Sequence, residues 1–122
     1  MSNRNIQGIV AALVLLAGAV TSTAAPRVEC VAGCGQGPKL VEPFGVAADA
    51  DGNWYICEYK GQRITRADGK GNFTVFAGGE RDPKAFNDPH GLFIARGRMY
   101  VADTLNHRVV RIDLKTGQSR VV

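Results

Sequence analysis

No Cys-x-x-Cys pair and no cysteine–histidine cluster occurs in this sequence, which has three cysteines and two histidines. A structural zinc site is therefore not expected. There is also no block of like charge. The 15 Lys and Arg and 11 Asp and Glu are interleaved, for a formal net charge of +4. That pattern reads as a mixed solvated surface and argues against a nucleic-acid-binding face. Lys60, Arg63, Arg66 and Lys70 form only a loose basic stretch around Tyr59. No Ser/His/Asp order, phosphate loop or paired-carboxylate motif is found, so none of the chemistries those motifs carry is indicated. Beyond residue 24 no segment shows helical periodicity.

Long apolar runs are missing too, except at the start. Arg4 precedes an uncharged apolar stretch over residues 6–20, and the small residues Thr21, Ser22, Thr23, Ala24 and Ala25 follow it. This is the three-part plan of a secretory signal peptide over residues 1–24, and the run is short of the roughly 20 apolar residues of a membrane span. Cleavage after Ala24 satisfies the small-residue rule and avoids Pro26 as first residue. The expectation is a secreted or periplasmic protein with no membrane span after signal cleavage. Val31-Ala32-Gly33-Cys34 has the form of a lipobox, but Pro26, Arg27 and Glu29 separate it from the apolar run, so lipidation is not expected. In an oxidising compartment one disulfide can form among Cys30, Cys34 and Cys57, leaving one thiol. Cys30 and Cys34 cannot join along one extended strand. Four residues span roughly 13 Å, whereas a bridge needs Cα atoms within about 7 Å. A turn at Ala32-Gly33 would be required.

The mature chain is dominated by an internal repeat. Residues 88–113, DPHGLFIARGRMYVADTLNHRVVRID, read as three short strands with two turns, and residues 43–68 show the same pattern. Tyr55 matches Tyr100, Glu58 matches Asp103, Arg63 matches Arg108 and Asp68 matches Asp113, each pair 45 positions apart. Strand-bearing units at that period are the arithmetic of a β-propeller blade. The fold class expected is thus all-β, with two four-stranded blades. The first spans residues 40–79, with strands near 45–48, 54–58, 63–66 and 73–77. The second spans residues 80–122, with strands near 92–95, 98–103, 108–113 and 119–122. Asp49-Ala50-Asp51-Gly52 and residues 67–71 carry hairpin-turn chemistry. Residues 28–32 parallel a fourth strand, so the segment 25–39 is expected to supply a closing strand and a lead-in loop. Two blades do not close a ring, since propellers have typically 4–8. The expectation is a piece of a longer protein, with a homotrimer of six blades as the alternative if the chain is complete.

At Tyr100-Val101-Ala102-Asp103-Thr104-Leu105-Asn106-His107-Arg108-Val109 the sequence resembles the NHL repeat, with Asn106-His107-Arg108 in place of the Asn-His-Leu stretch. Pro89-His90-Gly91-Leu92 is similar to the repeat's opening Pro-x-Gly. The first copy is looser, with Gly61-Gln62-Arg63 at the corresponding place. The resemblance covers residues 28–122. It implies a six-bladed propeller, often in exported bacterial proteins, related in shape to the SMP-30/gluconolactonase propellers. It does not imply one function, because the family includes protein-binding sensors, RNA binders and an amidating lyase.

Residues that build a blade should recur, and residues with one task can break the symmetry. Glu58/Arg63 and Asp103/Arg108 recur with the same spacing, and are read as structural pairs across a turn. His90 does not recur; Phe44 is its counterpart. In the amidating-lyase relatives a His in a similar Pro-His motif binds zinc. In the SMP-30-like lactonases an Asn in a similar Pro-Asn-Gly motif binds a divalent metal. His90 is therefore the candidate metal ligand, although a working zinc site needs about three protein ligands. A packing or hydrogen-bonding role at the channel mouth is the plainer reading. Trp54 and Tyr59 also break symmetry and are candidate ligand-binding residues. Cys57 has no nearby base in sequence, and His107 belongs to a turn. The leading expectation is a non-catalytic scaffold holding a protein or small-molecule ligand at one propeller face. The alternative is part of a metal-dependent hydrolase or lyase.

Overall fold

The computed structural model describes residues 24–35 and 39–122; the signal segment expected over residues 1–24 lies almost wholly outside them. The described residues form eight strands: β1 (Pro43–Ala48), β2 (Trp54–Glu58), β3 (Arg63–Ala67), β4 (Phe73–Gly78), β5 (Pro89–Ala95), β6 (Arg98–Asp103), β7 (Arg108–Asp113) and β8 (Ser119–Val121). They pair in chain order as two four-stranded antiparallel sheets. The only helical elements among the described residues are single 3-10 turns at Gly79–Arg81 and Thr104–Asn106.

Three of the reversals, β1 to β2, β3 to β4 and β7 to β8, run through a turn held by an aspartate. Asp49 Oδ1 accepts from the amides of Asp51 and Asn53, and Asp68 Oδ1 accepts from those of Lys70 and Asn72. Asp113 does the same for Lys115 and Thr116. Such side-chain-to-backbone bonds replace the ladder bonds that a reversing chain gives up.

The sheets pack face to back. Tyr55, Cys57 and Ile64 on one side of the first sheet meet Met99, Val101, Val110 and Ile112 on the second, with Phe86 wedged between. This is the main apolar burial of the chain and its chief driving force. Backbone proximity sets a limit at the innermost strands. A Cβ on Gly45 would lie 2.9 Å from both the Gly91 Cα and the His90 carbonyl oxygen, so β1 and β5 approach this closely only with glycine there.

A buried acid ties each sheet to the chain that enters it. Glu58 is fully buried and accepts from Arg63 Nε at 2.8 Å and Nη2 at 2.9 Å, from the Thr65 hydroxyl, and from the Val41 amide at 2.6 Å. In the second sheet Asp103, also fully buried, accepts from Arg108 Nε at 2.7 Å and from the Asn87 amide at 2.6 Å. Arg63 and Arg108 each reach back to a lead-in carbonyl, of Lys39 and Ala85 respectively.

Residues 28–32, expected as a closing strand, are not part of a sheet. A strand exists only against a ladder partner, and the last blade of a ring, which these residues are expected to close, is neither of the two sheets described. The segment turns instead, and Cys30 and Cys34 join in a disulfide with Cα atoms 5.9 Å apart. The turn required by that pairing is present, with Gly33 at φ 75°. β1 and β5 begin earlier than expected, at Pro43 and Pro89, because a one-residue register shift lets each ladder continue past the opening Pro-x-Gly.

Burial by itself would push the Glu58 carboxyl up, but the bonds from Arg63, Thr65 and the Val41 amide outweigh it and hold the group below its usual value. The stabilisation is then complete above about pH 5 and is lost as pH falls through the ordinary glutamate range and below. Glu58→Gln is expected to lower unfolding free energy by about 2 kcal/mol at pH 7, the partly exposed Arg63 softening the cost of a broken pair. It should also flatten the decline in stability between pH 5 and pH 3. Denaturant unfolding across that range measures both.

Candidate functional site

The end of the sheets that carries Pro43, Glu58, Pro89 and Asp103 gathers two of the residues that break the repeat, Tyr59 and His90. Here the register shifts occur, between Pro43 and Val46 in β1 and between Pro89 and Gly91 in β5. A bulge re-aims a side chain out of the alternating pattern. Phe44 and His90 sit at these two bulges, and Tyr59 sits in the turn after β2.

The three rings form one cluster. The His90 ring lies 4.7 Å from Phe44 and 4.6 Å from Tyr59, edge to face in both cases, and Phe44 and Tyr59 are 6.0 Å apart. Such tilted contacts suit the ring quadrupoles. Lys60 Nζ lies 4.5 Å from the Tyr59 ring centre, a cation–π contact at the edge of the cluster. Phe44 is 66% exposed, so the cluster presents an aromatic surface to solvent.

The His90 ring is anchored on one side. Its Nδ1 is 3.0 Å from the Asp88 carbonyl oxygen and 3.1 Å from Thr104 Oγ1. A carbonyl can only accept, so Nδ1 carries the proton and Nε2 keeps its lone pair. Asp88 is held in turn by Gln62. Gln62 Nε2 donates to Asp88 Oδ1 at 2.5 Å, and the Asp88 amide donates to Gln62 Oε1 at 2.7 Å. The Gln62 bond holds the Asp88 carboxyl below its usual value. This pair joins the β2–β3 turn of one sheet to the lead-in of the next.

The candidate residues are thus divided. Tyr59 and His90 come together. Trp54 does not join them. It begins β2 while Tyr59 follows its end, roughly 16 Å away at strand rise, beside the Asp49–Asn53 turn. Trp54 also occupies the place that Met99 holds in the second sheet, where Met99 is fully buried between sheets. Trp54 itself is half-buried, on the side of its sheet that faces away from the second sheet. Glu58/Arg63 and Asp103/Arg108 form the two ion pairs across their turns. His107 takes a left-handed backbone at the end of the Thr104–Asn106 turn. Cys57 is a buried free thiol that donates to the Pro89 carbonyl, and burial and the nearby Glu58 charge push it up to about 12. Among the described residues no group of three or more His, Cys, Asp or Glu could hold a metal ion. Among the described residues His90 therefore offers one donor atom, Nε2, without companions. The part of the cluster that sequence reasoning passed over is Phe44, Lys60 and the Gln62–Asp88 pair. The Pro-x-Gly opening of both repeats was the available signal, since it marks both bulges.

Two consecutive four-stranded meanders, with innermost strands side by side, are two blades of a β-propeller. Solved propellers match at the level of fold. Virginiamycin B lyase from Staphylococcus aureus matches with a TM-score of 0.53 and 21% identity, over 65% of this chain and 26% of that one. A propeller in a nidogen/laminin complex matches with a TM-score of 0.58 and 20% identity, over 67% of this chain and 31% of that one. No family model matches. In sequence, the chain is 32% identical over 99 residues to NHL repeat-containing protein 2 of Bos taurus, covering 70% of this chain and 14% of the relative. The repeats are of the NHL type, and the chain is an NHL-repeat propeller chain spanning about a seventh of that relative's length.

The neutral His90 ring is expected to show a pyrrole-like Nδ1 and a pyridine-like Nε2 in long-range 1H–15N spectra. Thr104→Val should leave that assignment in place, because the Asp88 carbonyl remains, while Nδ1 loses its second acceptor.

Proposed function

We propose that this chain is part of an exported NHL-repeat propeller that holds a protein or small-molecule ligand at the face where Phe44, Tyr59 and His90 gather. The observation that carries this reading is the exposed aromatic cluster itself. Three rings, that of His90 fixed from behind, and a flanking lysine meet at one end of both blades. Aromatic side chains with few rotatable bonds give contact area at small entropic cost, and turns on a rigid scaffold are where binding residues concentrate. One solved propeller of similar fold is part of a nidogen/laminin complex, which is in keeping with a protein ligand. Export rests on the signal-like residues 1–24, and the Cys30–Cys34 disulfide suits an oxidising compartment. No helix among the described residues is long and apolar enough to cross a membrane.

A second reading is favoured by the tautomer of His90, which leaves Nε2 free to take a proton or a metal. In that case the whole ring is a propeller hydrolase or lyase, and this chain supplies one group of its site. Calorimetric titration of the purified chain with Zn2+ and with Ca2+ separates the two. The scaffold reading expects no tight binding of either ion and no change on His90→Ala. Tight binding lost in His90→Ala would replace it with the enzyme reading. A photo-crosslinking residue at position 44 should capture a discrete adduct that Tyr59→Ala weakens at least tenfold, whereas the same probe at position 54 should not.

Export is checked by fractionation and N-terminal sequencing, with the mature chain expected to start at Ala25. A full-length cytoplasmic chain would overturn that part.

A further inference from the structure

A groove opens between the outer strands of the two sheets. Its volume is about 560 Å³, and it is walled by β4 of the first sheet, by β7 and β8 of the second and by the loop that joins the sheets. That volume is ordinary for a ligand site. Phe44, Tyr59 and His90 do not line it. Phe44 and His90 stand on the innermost strands β1 and β5, three strands away from β4 and β8.

The groove runs along the strands. Arg108 opens β7 at one end, and Gly117 lies in the turn beyond the other. The six residues of β7 give it a length of roughly 17 Å, enough for an extended segment of about five residues. Its middle is apolar. Phe76 of the first sheet faces Val110, Ile112 and Val121 of the second across it. Phe76 is only half-buried and Val121 is 55% exposed, so apolar surface is left to cover.

The charge on the lining is uneven. Arg81, Lys84, Arg108 and Arg120 stand against one carboxylate, Asp82. Arg108 is matched by Asp103. Arg81 and Lys84 are exposed and belong to neither ion pair found among the described residues. Both stand in the loop that leaves β4, at the Arg108 end, where Arg108 Nη2 donates to the Ala85 carbonyl of that loop at 2.9 Å. Arg81 also breaks the repeat, since Gln36 stands 45 positions before it.

The outer edge of β8 borders the groove. Val122 donates to the Val109 carbonyl, and the antiparallel ladder puts Arg120 in the next bonded pair. Ser119 and Val121 therefore turn their N–H and C=O outward, and among the described residues no strand pairs with that edge. A further blade would stack on the outer side of either sheet and leave both groove and edge open.

We infer that this groove binds an extended acidic peptide. The peptide adds to the edge of β8, sets alternate apolar side chains against Phe76 and Val121, and brings carboxylates to Arg81 and Lys84. Outward main-chain groups select a peptide, the apolar middle selects alternate apolar residues, and the two unmatched cations select acid at one end. The site is separate from the aromatic face and does not rest on the reading given for it.

Fluorescence anisotropy of the purified chain with two labelled pentapeptides, Asp-Asp-Leu-Val-Leu and Lys-Lys-Leu-Val-Leu, tests this. The acidic peptide is expected to bind at least tenfold more tightly, by a margin that narrows as salt is raised. Arg81→Glu/Lys84→Glu should reverse the preference, which a misfolded chain could not do. Ser119→Pro removes an outward N–H without touching a ladder bond, and should weaken the acidic peptide at least fivefold. Phe44→Ala should change neither affinity. Equal affinity for the two peptides, a preference unmoved by the charge reversal, or binding lost in Phe44→Ala overturns the inference. So does failure of both peptides to bind, the result expected if a second copy or another segment of the chain fills the groove.

Discussion

Two buried carboxylates hold this structure in register. Glu58 and Asp103 each sit at the end of a second strand with no exposure to water, and each takes a guanidinium from the start of the third strand. An ionised carboxylate in that position is tolerable only if its lone pairs are filled. The neighbouring arginine fills some, and the amide of the incoming chain, at Val41 or Asn87, fills another. The last bond matters most for the fold. It fastens the segment between blades to the blade it enters, and so decides where the first strand begins. Turn, strand start and lead-in are therefore one unit, and loss of the acid would release all three.

That unit also builds the aromatic face. With the lead-in fixed, the chain must pass from Pro43 or Pro89 into a ladder that starts one residue out of step. The bulge that results turns Phe44 and His90 away from the alternation of their strands and toward Tyr59. The same lead-in carries Asp88, whose carbonyl orients His90 and whose side chain closes on Gln62. Interblade adhesion and ring orientation thus share a residue. A substitution at Asp88 or Gln62 would be felt at the ligand face as well as at the joint.

Much of the fold was legible in the residues. All eight strands lie where the alternation and the 45-residue offset put them, apart from the earlier starts of β1 and β5, because consecutive strands pair with their chain neighbours and local pattern suffices to find them. The pairings Glu58/Arg63 and Asp103/Arg108 were legible for the same reason, a turn of fixed length between acid and base. Of the site, Tyr59 and His90 stood out as breaks in symmetry, but Trp54 stood out equally and lies at the far end of its strand. Asymmetry in the repeat marks a difference without saying which end of the sheet it lies on. Phe44 was visible only as the counterpart of His90, since its aim depends on the bulge.

The repeat period, the order of strands, the turns and the type of blade follow from the chain alone, because each arises from contacts between near neighbours. The disulfide between Cys30 and Cys34 and the convergence of three rings on one face did not. Each depends on which edge is free, which side of a sheet is covered and where a ladder slips by one residue. Period-two alternation says that a strand has two sides; only packing against a second sheet says which neighbour each side meets.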